Sequence, residues 1–165
     1  MDMRFGILFL IGLVASECPD GWLYYQHSCY MFGHSSHTFM DAVKYCEHFN
    51  ATMLNVNTRE EQNFLKSFMS NLKEHYYWIG LTDEVIDGVW RLYPSEQPSR
   101  VFDWYAGAGE PQGGTVENCV HAQPGYGYQW ADVSCSSTAS VVCEKDSSSN
   151  GVQVIGRDIQ AKERE

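Results

Sequence analysis

Glu110-Pro111-Gln112, then Glu117-Asn118-Cys119, then Trp130-Ala131-Asp132, then Cys135 and Cys143: residues 110–143 decide how this chain is read. Glu110, Glu117 and Asp132 bring carboxylates, and Gln112 and Asn118 bring side-chain amides, into a segment bounded by cysteines and rich in Gly and aromatic residues. Oxygen donors without a free thiol among them suit a hard cation. Calcium takes about six to eight oxygens, whereas zinc prefers His and Cys. A disulfide at each side would hold these donors in place, and the rest of the chain reads as their frame.

A chain of 165 residues suits one compact domain with a substantial core. Hydrophobic residues at 44% and aromatics at 14% argue against global disorder. A net charge of −10 excludes nucleic acid and anionic membrane as expected partners, since both need a basic face, and is compatible with cation binding.

The N-terminus has the form of a signal peptide. Arg4 precedes the apolar run from Ile7 to Val14, and the small residues Ala15 and Ser16 follow. The run is too short to span a bilayer. Residues 1–17 are therefore expected to be removed, leaving a secreted, extracellular protein with no membrane insertion.

The six cysteines, at 18, 29, 46, 119, 135 and 143, all lie beyond that segment. An even count in an exported chain implies a disulfide framework, with 15 connectivities open. Spacing narrows them: Cys18 with Cys29 closes a small hairpin, Cys119 with Cys135 closes the loop of the acidic cluster, and Cys46 with Cys143 remains. The last would tie a helix to the final strand, a closure worth roughly 4–5 kcal/mol.

In chain order, Trp22–Phe32 alternates aromatic and polar residues around Gln26-His27-Ser28, which predicts a hairpin. A helix follows, with Thr38 and Asp41 as a capping pair and Phe39, Ala42, Val43, Cys46 and Phe49 at helical spacing. Asn50-Ala51-Thr52 is an N-glycosylation sequon, which places Asn50 at the surface. A second helix opens at Thr58 with Glu61 three residues on, and Phe64, Leu65, Phe68, Met69 and Leu72 form its apolar stripe. Tyr76–Leu81 reads as a buried strand. The chain is then loop-rich through Trp104, with strands expected over Val116–Ala122, Tyr128–Val133 and Ser140–Glu144. Residues 146–165 turn to Ser, Asn, Gly and charge, and read as a disordered polar tail.

The cysteine spacing, Trp78-Ile79-Gly80-Leu81, Glu110-Pro111-Gln112 and Trp130-Ala131-Asp132, taken in this order, resemble a C-type lectin-like domain of the long, secreted, invertebrate-like form. The resemblance covers residues 18–145. It implies an α+β fold in which two helices flank antiparallel sheets and a long loop region carries calcium, with three disulfides: Cys18–Cys29, Cys46–Cys143 and Cys119–Cys135. In sugar-binding members, one calcium is held by a first triplet, a following Glu and a final triplet, and two vicinal sugar hydroxyls complete its shell. Carried over by position, Glu110, Gln112, Glu117 and Asp132 are the implied calcium and carbohydrate ligands, with Pro111 cis. Asp83, Asp87 and Asn118, sharing Glu117, are the implied ligands of an accessory calcium.

Two positions depart from that pattern. Gln112 adds a methylene where mannose-type members have Asn, and Ala131 stands where the final triplet has Asn, so one ligating amide is missing. Among aromatics near the loop, Trp104, Tyr105, Tyr126 and Tyr128 are candidates for stacking on a sugar face, while Trp78, Trp90 and Trp130 read as core.

The six histidines show no metalloprotease spacing and no cysteine is left free, so no enzyme is expected. The resemblance implies a calcium-dependent lectin for mannose, fucose or GlcNAc-type glycans, acting in innate immune recognition and able to oligomerise through domain packing. The competing reading, supported by Ala131 and the acidic charge, is a lectin-like domain without sugar binding that serves in protein interaction or as a biomineral matrix protein.

Overall fold

The computed structural model describes residues 18–72 and 75–150. The expected signal segment and the tail from 151 onward lie outside the described residues. The chain opens as a hairpin, β1 (Leu23–Tyr25) and β2 (Ser28–His37), with Tyr25 opposite Ser28. Gln26 turns the chain at φ 54°. Helix α1 (Phe39–Glu47) starts as expected: Thr38 accepts from the Asp41 amide (3.4 Å) and donates its hydroxyl to the Asp41 carboxylate (2.7 Å). The helix buries Phe39, Ala42, Val43 and Cys46. It stops before Phe49, which lies in the following turn against Trp22 and Tyr45.

Helix α2 (Arg59–Leu72) follows the short strand β3 (Thr52–Met53). Its capping box is complete, since Thr58 Oγ1 accepts from the Glu61 amide and Glu61 Oε2 accepts from the Asn57 and Thr58 amides. Leu65 and Met69 are buried. Phe64 and Phe68 are half-buried on Tyr25 and Phe32, and Leu72 is exposed. The apolar stripe is thus narrower at its end than its spacing predicts.

Strand β4 (Tyr77–Thr82) is buried throughout, which explains its unalternated bulky sequence. It sits between β8 (Ala139–Asp146) and β6 (Cys119–Gln123), with β7 (Gln129–Val133) beyond β6. The order β1-β2-β8-β4-β6-β7 makes one connected sheet, with β3 on β8 and β5 (Arg91–Leu92) on β4. Among the described residues, the pairings between these strands are antiparallel except β4 with β8, where Tyr77 meets Ser140 in parallel register. The architecture is the expected α+β fold of two helices and largely antiparallel strands, with this one parallel pairing making the sheet mixed.

Two apolar cores fill the domain. One gathers Leu65, Met69, Ile79, Val120 and Trp130; the other gathers Phe39, Val43, Trp78 and Val141. Trp78, Trp90 and Trp130 are core residues, as predicted. The three disulfides join Cys18 to Cys29, Cys46 to Cys143 and Cys119 to Cys135. Two boundaries differ from expectation. The strand predicted from Val116 begins only at Cys119, because Gly114 (φ 51°) starts a single 3-10 turn over Gly114–Val116. At the other end β8 continues to Asp146, and Ser147–Asn150 forms another 3-10 turn.

Candidate functional site in the loop between Trp104 and Asp132

The loop leaves the frame at Asp103 and rejoins the sheet at Cys119, where β6 begins, and the neighbouring strand β7 brings Asp132 beneath it. At its root, Trp104 bridges to Trp130, Trp130 N donates to Asp103 O (2.8 Å), and Tyr105 N donates to Trp130 O (3.0 Å). The Asp103 carboxylate also takes Lys66 Nζ (3.0 Å), Gln62 Nε2 (3.0 Å) and Gln129 Nε2 (3.3 Å), which locks the root to α2 and β7. Nothing in the spacing of the sequence singled out Asp103. Its partners come from α2 and β7, two segments far apart in the chain, and only the fold brings them together.

Glu110 N donates to Tyr105 O, and the Glu110–Pro111 peptide is cis, as is Tyr93–Pro94. Beyond the proline the chain is held by Asp132, which is 4% exposed: Oδ1 accepts from Gln112 N (3.0 Å) and Oδ2 from Gly113 N (2.7 Å). A side chain at Gly113 would collide with Glu117, whose carboxylate folds over that glycine. Glu110 and Glu117 therefore lie beside Asp132, and the Glu110 carboxyl shows the consequence. Burial, a hydrogen bond to Asp132, and repulsion from Asp132 and Glu117 push it up to about 7, while its Oε2 is buried without a hydrogen-bond partner.

Asp83 neighbours this group. Its amide donates to Asn118 O (3.2 Å), and Oδ2 accepts from Gly88 N (2.8 Å). Oδ1 is buried and unpartnered, and burial, with repulsion from Asp87 and Asp132, raises its carboxyl above the usual range. Asp87 and Gln112 are exposed, and the Asn118 side chain donates to Thr115 O (3.4 Å). Among the described residues, no three His, Cys, Asp or Glu side chains form a group able to hold a metal ion in this arrangement. Asp132 spends both oxygens on backbone amides, and the Glu117 side chain lies over Gly113. The donor set still fits a hard cation: all the charged donors are carboxylates, and two of their oxygens are buried with no proton donor beside them.

Ala131 is 3% exposed and pairs across the strands with His121. Strand alternation puts it on the face of His121 and Trp78, opposite the face of Asp132 and Trp130. Burial holds the His121 imidazole down to about 4, so it is neutral at neutral pH. Of the four candidate stacking aromatics, Trp104 packs on Trp90 and Trp130 and Tyr128 is buried. Tyr105 and Tyr126 stack on each other at 4.0 Å and remain partly open to solvent. Asn50 is exposed at the end of the α1 turn with φ 50°.

Residues 35–145 match the family profile described as the lectin C-type domain. The chain belongs to the C-type lectin domain family. Human C-type lectin domain family 10 member A is 34% identical over 136 residues, which is 77% of this chain and 40% of that relative's length. The mouse scavenger receptor C-type lectin carbohydrate-recognition domain superposes with a TM-score of 0.71 at 30% identity, over 79% of this chain and 98% of its own. The cow CD23 carbohydrate-recognition domain, solved in the presence of a GlcNAc2Man3 oligosaccharide, gives 0.68 at 32% identity over 79% and 96% of the two chains. A calcium-independent type II antifreeze protein shares the fold at 20% identity, with a TM-score of 0.69 over 79% and 95%. Domains of this lectin family bind glycans and generally bind calcium, and they are typically binding proteins rather than enzymes. Among the described residues, no helix is long and apolar enough to cross a membrane.

Proposed function

We propose that this chain is a secreted, calcium-dependent lectin whose site is the loop between Trp104 and Asp132. Glu110, Gln112, Glu117 and Asp132 would hold calcium and meet the sugar, with Asp83, Asp87 and Asn118 serving an accessory ion. The observation that carries this reading is the Glu110 carboxyl, half-buried beside Asp132 and Glu117 with one oxygen buried and unpartnered. Like charges held together in partial burial are unfavourable unless a cation joins them. Bound calcium would supply that charge and open coordination positions for vicinal hydroxyls. The Glu110-Pro111 start supports mannose, fucose or GlcNAc-type glycans, and recognition of microbial surfaces is the setting such specificity suits. Asn50, which is exposed, would carry a glycan of its own.

The test is retention on immobilised mannose with release by EDTA. Retention that survives EDTA, or none in calcium, refutes it. A second reading, a protein-interaction or mineral-matrix role without sugar binding, has its own support. Asp132 already satisfies Gln112 N and Gly113 N without a metal, and Ala131 supplies no amide. Calcium-dependent adsorption to calcium carbonate without retention on any of the three sugars would favour it.

A further inference from the structure

Away from the acidic loop, a cleft of about 510 Å³ opens between the segment before α2 and the hairpin that follows β5. Ligand sites for molecules of drug size span roughly 300–1,000 Å³. Its polar wall carries the Asn55, Asn57 and Gln97 amides, the Ser95 hydroxyl and the Arg100 guanidinium, and its apolar part is Val56, Leu92 and Pro98. No carboxylate lines it.

Both walls are hydrogen-bonded to the frame or within themselves without a ligand. On one side Glu144 accepts from Asn55 N, and Glu61 accepts from Asn57 N and Thr58 N. On the other, Leu92 N donates to Gln97 O (2.8 Å), Glu96 N to Leu92 O (2.8 Å), and Arg91 to Glu96 O (3.0 Å). Asn55 Nδ2 links the two walls through Tyr93 O (3.0 Å). The groups left over are exposed: the Gln97 backbone amide donates to Ser95 Oγ, but among the described residues the Gln97 side-chain amide and the Arg100 guanidinium have no protein partner. Fixed walls with free polar tips lower the ordering cost of binding.

The lining chooses the ligand class. An apolar molecule would strand the amides, and a cation finds no carboxylate. A chain of net charge −10 repels anions, and Arg100 is the one cation in the lining to oppose that. What remains is a neutral molecule dense in hydroxyls with one apolar face. We propose that this cleft is a second, calcium-independent subsite for a neutral saccharide, with Asn57, Gln97 and Arg100 meeting its hydroxyls and Leu92 and Pro98 its C–H face.

The test uses the N-acetylglucosamine trisaccharide, titrated in EDTA into isotope-labelled protein, with NMR reading the side-chain amides of Asn55, Asn57 and Gln97. Saturable shifts at these amides are expected, equal in wild type and Glu117→Ala. Gln97→Ala, which removes no fold contact, should weaken binding roughly fivefold, the worth of one net hydrogen bond. Failure of the calcium loop would abolish mannose retention and leave these shifts intact, so the two readings fail separately. The proposal is overturned by no saturable shift up to about 20 mM sugar, by shifts confined to Tyr105 and Tyr126, or by unchanged affinity in Gln97→Ala. Tighter competition at these amides by a neutral decapeptide would reassign the cleft to polypeptide and overturn it equally.

Discussion

Lowering the pH from about 7.5 to about 5.5 should weaken calcium binding roughly tenfold. The Glu110 carboxyl is raised to about 7 by burial and by Asp132 and Glu117, so in the metal-free protein it carries a proton over much of this range. Calcium must displace that proton, and affinity therefore falls as pH falls through the raised value. A one-proton exchange at that value gives about 25-fold between the two conditions. Glu110 keeps some solvent contact, and screening reduces this to roughly tenfold, or about 1.4 kcal/mol. His121 does not contribute, because its imidazole is held down to about 4 and stays neutral in both buffers. Calorimetric titration of calcium in two buffers of different ionisation enthalpy counts the protons released. Near pH 7 a fraction of a proton per calcium is expected, rising toward one at the lower pH, and Glu110→Gln should remove most of the dependence. Equal affinity at both pH values, or no proton release, would refute the placement of Glu110 at the metal.

Ala131→Asn buries an amide at a position 3% exposed, opposite His121, and should destabilise the calcium-free protein by about 1–2 kcal/mol. Because Ala131 lies on the face opposite Asp132, that loss should be equal with and without calcium in thermal melts; a loss that calcium restores would instead place residue 131 at the metal. Replacing Cys46 and Cys143 together by Ala should cost about 4–5 kcal/mol, against roughly 3 for Cys18 and Cys29, because the spans are 97 and 11 residues. Urea unfolding gives both values, and equal losses would refute the loop-length argument. The Glu144 carboxyl is pushed up to about 7, first by burial and then by Glu61, whereas an unfolded Glu titrates near about 4.3. The folded state thus binds more protons between these values, so stability in EDTA should fall by roughly 2 kcal/mol as pH rises from about 5 to about 7.5. Glu110, raised likewise, adds a slope of the same sign, so Glu144→Gln should remove only its own share, and an unchanged slope would assign that share elsewhere.

Where local chemistry determined the outcome, it was legible in the sequence. Thr38 with Asp41 and Thr58 with Glu61 mark the starts of both helices, because a cap is satisfied within one turn. The disulfide pairs follow from spacing and from the family resemblance. The resemblance supplied the cis Pro111, which no local rule favours. What was not legible depends on groups far apart in the chain. Tyr30 donates to Glu61 (2.6 Å) while Ser28 and Asn55 serve Glu144, a buried acidic network drawn from four segments. The parallel pairing of Tyr77 with Ser140 likewise has no signature in either strand. At the candidate site, the sequence singled out Glu110, Glu117 and Asp132, which the fold brings together. It did not show that Asp132 spends its oxygens on Gln112 and Gly113.

That last point bears on how the loop can respond to an ion. Among the described residues, several neutral polar atoms are buried unpaired, but the buried unpaired carboxylate oxygens are two, on Glu110 and Asp83. Both flank Asp132. The frame treats its acids differently: Glu61 accepts from Tyr30, Asn57 and Thr58, and Asp103 is met by Lys66, Gln62 and Gln129. Burying charge without a partner is unfavourable anywhere, and sequences retain it where another requirement outweighs stability. Here the frame tolerates it because two cores and the Cys46–Cys143 and Cys119–Cys135 bridges hold β4, β6, β7 and β8 independently of the loop. Removing a bound ion should therefore loosen residues 104–118 and leave the sheet folded. Hydrogen exchange compared in calcium and in EDTA would show protection lost in that segment and kept in β4. Equal loss in β4 would mean that the metal holds the frame as well as the loop.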